Sequence, residues 1–222
     1  MSSLHPVIAI DGTAASGKST FSRQLAQRLG FTYVNTGAMY RGVTWYIQHK
    51  GIPLQDAEAI SREILAAGVK TSLQQGELAF FIAGIDPLPH VREAAVNAGV
   101  SLVSQVAAVR SLLVAEQQSL AQQAALVMEG RDIGTVVFPQ TPYKFYLDAN
   151  AEVRAQRRNQ QGETDAILKR DVIDSQRQNS PLLCAPDALR LDSSYASVDE
   201  LVATALQHLA FRGLKQEGQP PP

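Results

Sequence analysis

Apolar residues occur along the chain in two alternating patterns, short continuous runs and longer stretches with helical spacing. The run VIAID (7–11) is rich in β-branched residues, as in a strand buried on both faces. GKSTFSRQLAQRLG follows with helical spacing, and Gly30 is placed to end that helix. YVNTG predicts a strand leading into a turn, and AMYRGVTWYIQHKG a helix ended by Gly51 and Pro53. Strands that alternate with helices predict a parallel sheet.

The pattern changes between about 69 and 91, where VKTSL, the turn-like QQGE and LAFFIAG predict a small antiparallel insertion. From 92 to 123 the spacing is helical throughout. ALVME and YKFYLD predict two more buried strands, and ALRLDSS the last one. ANAEVRAQRRNQ predicts a helix with Asn150 as its cap, and SVDELVATALQHLAF one opened by a capping box of Ser197 and Glu200.

Composition narrows the class of protein. The 222 residues are 45% hydrophobic and 18% charged, which suits one domain with insertions over residues 1–222. A formal net charge of -1 lacks the excess of basic groups that favours binding to a nucleic-acid polymer. The N-terminal segment lacks the pattern of a secretory signal, and no apolar run approaches the ~18 residues of a membrane span. We therefore expect a cytoplasmic protein that does not bind membranes, with a flexible polar tail over 213–222.

Cysteine and histidine point to no further chemistry. Cys184 is the single cysteine, so it predicts neither an intramolecular disulfide nor a zinc site, and we interpret it as a small buried hydrophobic residue. The four histidines are far apart and show no metal-ligand spacing.

A glycine-bracketed loop lies between the first strand and the first helix. Gly12, Gly17, Lys18 and Ser19 fit G-x-x-x-x-G-K-[ST] in full, in the strand-to-helix context that this motif requires. Glycines let the backbone curl so that several N–H groups point inward, and the positive end of the helix favours a polyphosphate. Lys18 can reach the outer phosphates, and the Ser19 hydroxyl can bind Mg²⁺. The alternative, a glycine-rich turn with an accidental lysine, does not explain the agreement of residue type, order and flanking elements.

Arginines stand beside small polar or acidic residues where three strands or loops end. Ligands collect at the carboxyl ends of strands in an open parallel sheet, so these segments can face one cleft. Arginine binds phosphate oxygens in a forked pair of hydrogen bonds, and carboxylates accept from hydroxyl or amino groups, a combination that suits a nucleotide. The segments are NTGAMYRG with Thr36 and Arg41, EGRDIGTVVFP with Arg131 and Asp132, and RDVIDSQRQNSPL with Arg170, Asp174 and Arg177.

Two of these segments, and one further group of arginines, also have a purely structural interpretation. On a helix, Arg170, Asp174 and Arg177 would share one face, which is also the pattern of a solvated salt-bridged stripe. EGRD can be a strand-end turn with a surface ion pair. EVRAQRRNQQ, with Arg154, Arg157 and Arg158, can be an exposed basic patch or part of a mobile flap that closes over phosphates.

With these motifs in place, the chain resembles the bacterial cytidylate kinases, which are P-loop nucleoside monophosphate kinases, over about residues 6–212. The resemblance rests on IDGTAASGKST, NTGAMYR, VSLVSQVAAVR, EGRDIGTVVFP, FYLDANAEVRAQRR, RDVIDSQRQNSPL and LDSS. It implies an α/β fold with a five-stranded parallel sheet flanked by helices, of the P-loop NTPase type. It also implies a small antiparallel insertion (about 65–105) that binds the monophosphate and a short lid (about 154–184).

The resemblance further implies roles for individual residues. Lys18, Arg131 and Arg177 would act on the transferring phosphoryl group, and Ser19 would hold Mg²⁺. The ATP site would comprise Gly12, Thr13, Ala14, Ala15, Ser16, Gly17, Lys18, Ser19 and Thr20, with Arg157 or Arg158 assisting from the lid. The CMP site would comprise Thr36, Arg41 and Arg131 for the phosphate, Ser101, Arg110 and Asp132 for cytosine, and Arg170, Asp174 and Arg177 for the ribose and the transferring group.

The chain departs from the family pattern at four positions. Thr13 and Ala107 stand where the family usually has proline, and Ile173 and Ser175 where some members have additional arginines. The loop should remain usable with Thr13, because its N–H groups still point inward. The helix near Ala107 can begin differently, and the lid has fewer phosphate contacts.

The expected reaction is transfer of the γ-phosphoryl group of ATP, with Mg²⁺ as cofactor, to CMP or dCMP, giving CDP or dCDP and ADP. The sequence leaves two alternatives open. One is a P-loop kinase for UMP, AMP or a hydroxyl acceptor, and the other is a nucleotide-binding switch. A hydroxyl acceptor would need a general base that the motifs do not supply. No heptad run or long edge strand predicts a dimer, so we expect a monomer.

Overall fold

The computed structural model describes residues 5–74, 76–160, 167–177 and 180–214, without the side chains of residues 158 and 167–170. Its strands are β1 (Val7–Gly12), β2 (Thr32–Asn35), β3 (Val69–Gln74), β4 (Glu77–Ile82), β5 (Leu126–Glu129), β6 (Lys144–Asp148) and β7 (Leu189–Asp192). Its helices are α1 (Lys18–Leu29), α2 (Thr36–His49), α3 (Ala57–Ala67), α4 (Ala94–Val103), α5 (Ala107–Leu120), α6 (Ala151–Gln160), α7 (Ile167–Ser175) and α8 (Val198–Phe211).

Five strands form one parallel sheet in the order β2-β5-β1-β6-β7, as the alternation of strands and helices predicts. The central strand β1 is buried along its whole length. Ile8 and Ile10 face α1 and α8, while Val7 and Ala9 pack on the opposite face with the end of α5. Because successive side chains of a strand point to opposite faces, a continuous apolar run is what a two-sided core requires.

The predicted helix ends of α1 and α8 are confirmed. Gly30 adopts a left-handed conformation, and its N–H donates to the carbonyl groups of Ala26 and Gln27, which closes α1. The Ser197 side chain accepts from the Glu200 N–H, and the Glu200 carboxylate accepts from the Ser197 N–H, which forms the capping box of α8.

The antiparallel insertion is confirmed as the hairpin of β3 and β4, which pair from Val69 with Ile82 to Gln74 with Glu77. Phe80 and Ile82 of β4 are fully buried in a second apolar cluster with α2, α3 and α5. The hydrophobic pattern gave no separate prediction for α3, whose first turn is capped by the Asp56 side chain.

Three boundary predictions are wrong. The helical run over 92–123 is two helices, α4 and α5, bent by 100° at residues 104–106. There the N–H groups of Gln105 and Val106 donate to the carbonyls three residues earlier instead of four. YVNTG holds no turn, because the Asn35 side chain caps α2, which begins at Thr36. The third is the shared helix face of Arg170, Asp174 and Arg177, since α7 ends at Ser175 and Arg177 lies beyond it.

Two further expectations concern the ends of the chain and the membrane. Most of the tail predicted over 213–222 lies outside the described residues. Leu214, however, donates its N–H to the Leu209 carbonyl and packs on the core. Among the described residues, no single helix is long and apolar enough to cross a membrane; the bent pair of α4 and α5 passes that test by length and composition alone.

Gly12 ends β1 at a position where only glycine fits. Its φ is +146°, and a Cβ there would lie 1.9 Å from the Leu147 carbonyl oxygen of β6. We expect Gly12→Ala to lower the free energy of unfolding by roughly 3–5 kcal/mol, since backbone strain and overpacking add. Gly51→Ala is the matched control, because φ is +68° with no atom within 4 Å, and should cost about 1 kcal/mol. Urea unfolding measures both, and equal losses would contradict the steric argument.

Candidate active site

The glycine motif forms a curled loop between the carboxyl end of β1 and the first turn of α1. We call Gly12 to Thr20 the phosphate loop. Ala15 and Gly17 have positive φ values of 57° and 83°, which turn the chain back on itself. The first turn of α1 begins at Lys18 with unpaired N–H groups at its positive end, so the sequence prediction of an anion-binding loop fits the observed geometry.

Two carbonyl groups of the phosphate loop are tied to the surrounding protein, and a third is tied to side chains of the loop itself. The Thr13 oxygen accepts from Lys18 Nζ and from Ser16 Oγ at 3.0 Å. The Ala14 oxygen accepts from Arg154 at 3.2 Å, and the Ser16 oxygen from Ser193 Oγ at 2.7 Å. In a trans peptide the N–H points opposite to the C=O, so carbonyls held outward direct the following N–H groups into the loop.

Lys18 is almost completely buried, with 7% of its surface exposed. Burial, together with the nearby charge of Arg131, lowers the pKa of its ammonium from 10.5 to about 7. The carboxylates of Glu129, Asp171 and Asp11 oppose this shift. The cation of this site therefore lies where a polyphosphate would stabilise its charged form.

Asp11 connects the phosphate loop to the GRDIG turn. Its two carboxylate oxygens accept the Ile133 and Gly134 N–H groups, each at 2.8 Å. Burial raises the pKa of Asp11 to about 6, while the two amide bonds oppose the shift. The contact fixes Arg131 and Asp132 relative to Gly12, which adjoins Asp11. Sequence analysis missed Asp11, whose one visible signal was a carboxylate at the end of an apolar run.

Arginines and aspartates from three distant segments meet beside the phosphate loop. We call Ser104, Arg110, Arg131, Asp132, Asp174 and Arg177 the acceptor cluster. Arg110 pairs with Asp132, and Asp174 pairs with both Arg177 and Arg131, the latter at 3.0 Å. Ser104 joins the pairs, because its carbonyl accepts from Arg110 at 3.3 Å and its hydroxyl from Arg177 at 2.9 Å.

Apart from Arg131, whose side chain is 22% exposed, the acceptor cluster is buried, which contradicts the interpretation of its ion pairs as surface pairs or a solvated stripe. The side chains of Arg110 and Asp132 are 5% and 7% exposed. Burial raises the pKa of Asp132, and Arg110 and Arg177 oppose this by favouring the carboxylate. Among the described residues, the Nε atoms of Arg110 and Arg177 are buried without a hydrogen-bond partner. A buried donor without a hydrogen-bond acceptor costs about 1–3 kcal/mol, so binding of a ligand that accepts hydrogen bonds from these Nε atoms is favoured.

Ser104 is the member of the acceptor cluster that sequence analysis missed. It stands in the VSLVSQVAAVR motif but was given no role, because the stretch looked like continuous helix and the bend between α4 and α5 was not predicted.

Three other predicted acceptor residues, Thr36, Arg41 and Ser101, lie in α2 and α4. Thr36 is buried, and its hydroxyl donates to the Glu129 carbonyl at 2.8 Å. The guanidinium of Arg41 lies against Gly37, one turn of α2 earlier. Ser101 is half-buried in the last turn of α4. Tyr40 places its ring 5.4 Å from the Arg110 guanidinium carbon, a cation–π contact that packs this arginine.

Two of the α6 arginines, Arg154 and Arg157, do not lie on an exposed patch. Arg154 is buried, and Arg157 donates to the Ser193 carbonyl at 2.6 Å. A Cβ on Gly17 would lie 3.8 Å from Arg157 Nη1, so this guanidinium borders the phosphate loop. The side chains of Arg158 and Arg170, both predicted site residues, lie outside the described residues.

Oxygen groups near Ser19 suit a hard divalent cation. Ser19 is exposed in the first turn of α1, and the Tyr33 hydroxyl interacts with it and donates to the buried Glu129 carboxylate. One hydroxyl ligand with phosphate oxygens and water is an ordinary set for Mg²⁺. In the part of the chain that the structure describes, no group of three or more His, Cys, Asp or Glu residues is placed to hold a metal by itself.

A parallel sheet with a glycine loop at the end of its central strand and a buried arginine cluster at the same edge defines a P-loop kinase. The family model for cytidylate kinase matches residues 8–210. The chain belongs to the cytidylate kinase family.

Two relatives found by sequence agree with this assignment. A cytidylate kinase from Mycolicibacterium paratuberculosis is 42% identical over 215 residues, which cover 91% of this chain and 92% of the relative. A bifunctional pantoate ligase/cytidylate kinase from Synechococcus is 42% identical over 212 residues, which cover 89% of this chain but 41% of that longer protein. The solved shikimate kinase from Acinetobacter baumannii, in complex with shikimate, is 16% identical at a TM-score of 0.47, over 95% of this chain and 96% of that one.

Proposed function

We propose that the protein transfers the γ-phosphoryl group of ATP to the phosphate of CMP or dCMP, giving ADP and CDP or dCDP. One observation carries the proposal: the phosphate loop and the acceptor cluster lie at the same edge of the sheet, joined by Asp11 and by the charges of Lys18 and Arg131. A donor triphosphate and an acceptor monophosphate bound there would face each other.

The donor half is the phosphate loop. Its inward N–H groups and the ammonium of Lys18 would bind the outer phosphates, and Arg157 borders the loop from α6. Ser19 would hold Mg²⁺, which neutralises charge on the phosphates when bound. Arg158 belongs to this half by family resemblance.

The acceptor half is the acceptor cluster with the residues around it. Arg131, Arg41 and Thr36 would bind the monophosphate, after Thr36 turns its hydroxyl from the Glu129 carbonyl. The cytosine ring offers an exocyclic amine and ring acceptors, which a carboxylate, a guanidinium and a hydroxyl complement. Asp132, Arg110 and Ser101 supply these groups, and Arg170 and Asp174 would meet the ribose.

Catalysis then depends on alignment and electrostatics. The acceptor phosphate oxygen is already a nucleophile, so the reaction needs no general base. Lys18, Arg131 and Arg177 would stabilise the charge that spreads over the transferring group. The lid over about 154–184 would exclude water, which otherwise competes as an acceptor.

The proposal is tested by ADP formation with ATP and Mg²⁺ and with CMP, dCMP, UMP, AMP or no acceptor. Fast turnover with CMP and dCMP alone is expected. Preference for another monophosphate would keep the kinase but overturn the roles of Ser101, Arg110 and Asp132. Acceptor-independent hydrolysis would favour a nucleotide-binding switch.

ATP binding should take up a proton, because the phosphates require the charged form of Lys18. If the pKa of Lys18 rises from about 7 when ATP binds, the affinity for ATP increases as the pH falls through 7. At pH 8 the expected uptake is about 0.9 proton per ATP bound with Mg²⁺. Above pH 8, the affinity for ATP should fall by up to about tenfold for each pH unit. Calorimetry in buffers of different ionisation enthalpy measures the uptake. The Lys18→Arg variant should show no proton uptake, because an arginine side chain is always charged. Persistent uptake in this variant would contradict the assignment of the proton to Lys18.

We also propose a cytoplasmic monomer that binds neither a membrane nor a nucleic-acid polymer, on the grounds of composition and charge. Light scattering of the purified protein at working concentration tests the oligomeric state, and a mass of two chains would overturn it.

A further inference from the structure

We propose that Arg154 and Asp171 form a brace that positions the phosphate loop for ATP. The inference rests on the proposed role of that loop as the ATP site. Neither residue was among the predicted site residues, and both act through the loop backbone.

The two side chains bracket a single loop residue. The Ala14 N–H donates to Asp171 Oδ1 at 2.9 Å, and the Ala14 carbonyl accepts from Arg154 Nη1 at 3.2 Å. The same Arg154 nitrogen donates to Asp171 Oδ2, so the two side chains are also paired with each other. Both polar groups of Ala14 are thereby fixed by one ion pair.

This contact determines which way the next amide points. The Ala14 carbonyl and the Ala15 N–H belong to one trans peptide and point in opposite directions. Holding the carbonyl against Arg154 therefore directs the Ala15 N–H towards the inside of the loop. If the peptide rotated, a carbonyl oxygen would face the phosphates and repel them.

The loop needs such support because its conformation is not intrinsically favoured. Ala15 has a φ of 57°, which for a residue with a Cβ costs roughly 1–2 kcal/mol. Strained positions of this kind persist when surrounding contacts hold them in place. Ser193 holds the Ser16 carbonyl on the far side of Ala15, so Arg154 supplies the matching restraint on the near side.

Arg154 is anchored so that it can act as a rigid support. Its Nε donates to the Ala149 carbonyl at 3.0 Å, next to the end of β6, and its side chain is 8% exposed. The pair with Asp171 is neutral overall, so it restrains the loop without adding a net negative charge beside the phosphates. Because Arg154 lies on α6 and Asp171 on α7, the pair also ties both helices of the predicted lid to the donor site.

A competing interpretation of Asp171 predicts the opposite change in ATP affinity when this residue is removed. If Asp171 occupied an N–H group that a phosphate needs, it would compete with ATP, and its removal would tighten ATP binding. A brace requires that removal weakens it. The sign of the change in ATP affinity therefore decides between them.

The experiment compares Kd values for ATP with Mg²⁺ and for CMP by calorimetry, in the full chain and in Asp171→Ala, Arg154→Met and the double variant. Each single change should weaken ATP about five- to twentyfold and leave CMP within about twofold. The double variant should be no weaker than the poorer single one, because the two residues act as a unit. Asp187→Ala is the matched control; it breaks an ion pair to Lys144 away from the loop and should not change the ATP Kd.

Four outcomes overturn the brace: tighter ATP binding, an unchanged ATP Kd, equal losses for ATP and CMP, or additive losses in the double variant. If Asp171→Ala does not fold, Asp171→Asn and Arg154→Lys provide the same comparison with smaller changes. A wild-type chain that fails to bind ATP would reject the proposed function, whereas wild-type binding with unaffected variants would reject the brace alone.

Discussion

Lys18→Ala is expected to lower turnover by about 10³-fold or more, or about 4 kcal/mol in activation free energy. The ammonium is the one cation placed inside the phosphate loop among the described residues, and it is already removed from water. Such a preorganised charge stabilises the transferring group without the reorganisation that water would require. The measurement is the rate of ADP formation at saturating CMP and ATP.

The fold should survive this substitution. Burial disfavours the charged form of Lys18, so removing the ammonium should leave the Tm unchanged or raise it. Lys50→Ala is the matched control, since Lys50 is exposed in a pair with Glu63 and should keep turnover within about twofold. Near-normal turnover in a folded Lys18→Ala protein would remove the triphosphate role of Lys18.

Asp132→Ala is expected to raise the KM for CMP by about 100-fold while leaving the KM for ATP within about twofold. The carboxylate would accept from the cytosine amine, and its loss also releases Arg110, its buried partner. Since an uncompensated charge then remains inside the protein, the free energy of unfolding should fall by about 3–5 kcal/mol. Steady-state kinetics and urea unfolding measure the two effects.

A double variant separates binding from stability. Arg110→Met with Asp132→Leu removes both members of the pair, and replacing a buried ion pair by apolar groups is often neutral. We expect the stability to recover and CMP binding to stay weak. Recovery of both would mean that the pair only supports the fold, and an equal loss of CMP and ATP affinity in the single variant would make Asp132 structural.

Local patterns were sufficient for most of the architecture. The apolar run of β1, the helical spacing of α1 and the glycine at residue 30 each act within a few residues, so sequence predicts them directly. The phosphate loop is a local motif for the same reason. Family resemblance, rather than spacing, named Ser101 and Arg110, which looked like ordinary helix positions.

The bend at residues 104–106 shows where local patterns fail. The run over 92–123 has no break in helical spacing, yet Ser104 leaves the helix and offers its carbonyl to Arg110 and its hydroxyl to Arg177. Arg110 lies in α5, six residues after Ser104, but it can reach the Ser104 carbonyl only once the chain has bent, and Arg177 comes from a distant segment. The contacts that stabilise the bend are therefore not visible in the local spacing.

Local sequence patterns were enough to predict the alternation of buried strands and helices, the phosphate loop and the residue types of the acceptor site. The tertiary structure alone decided which charges meet: Asp11 with the amides after Asp132, Asp174 with Arg131, and Asp171 with Arg154 around Ala14. Strand and helix preferences depend on neighbours a few positions apart, whereas an ion pair depends on the distance between side chains that are far apart in the chain.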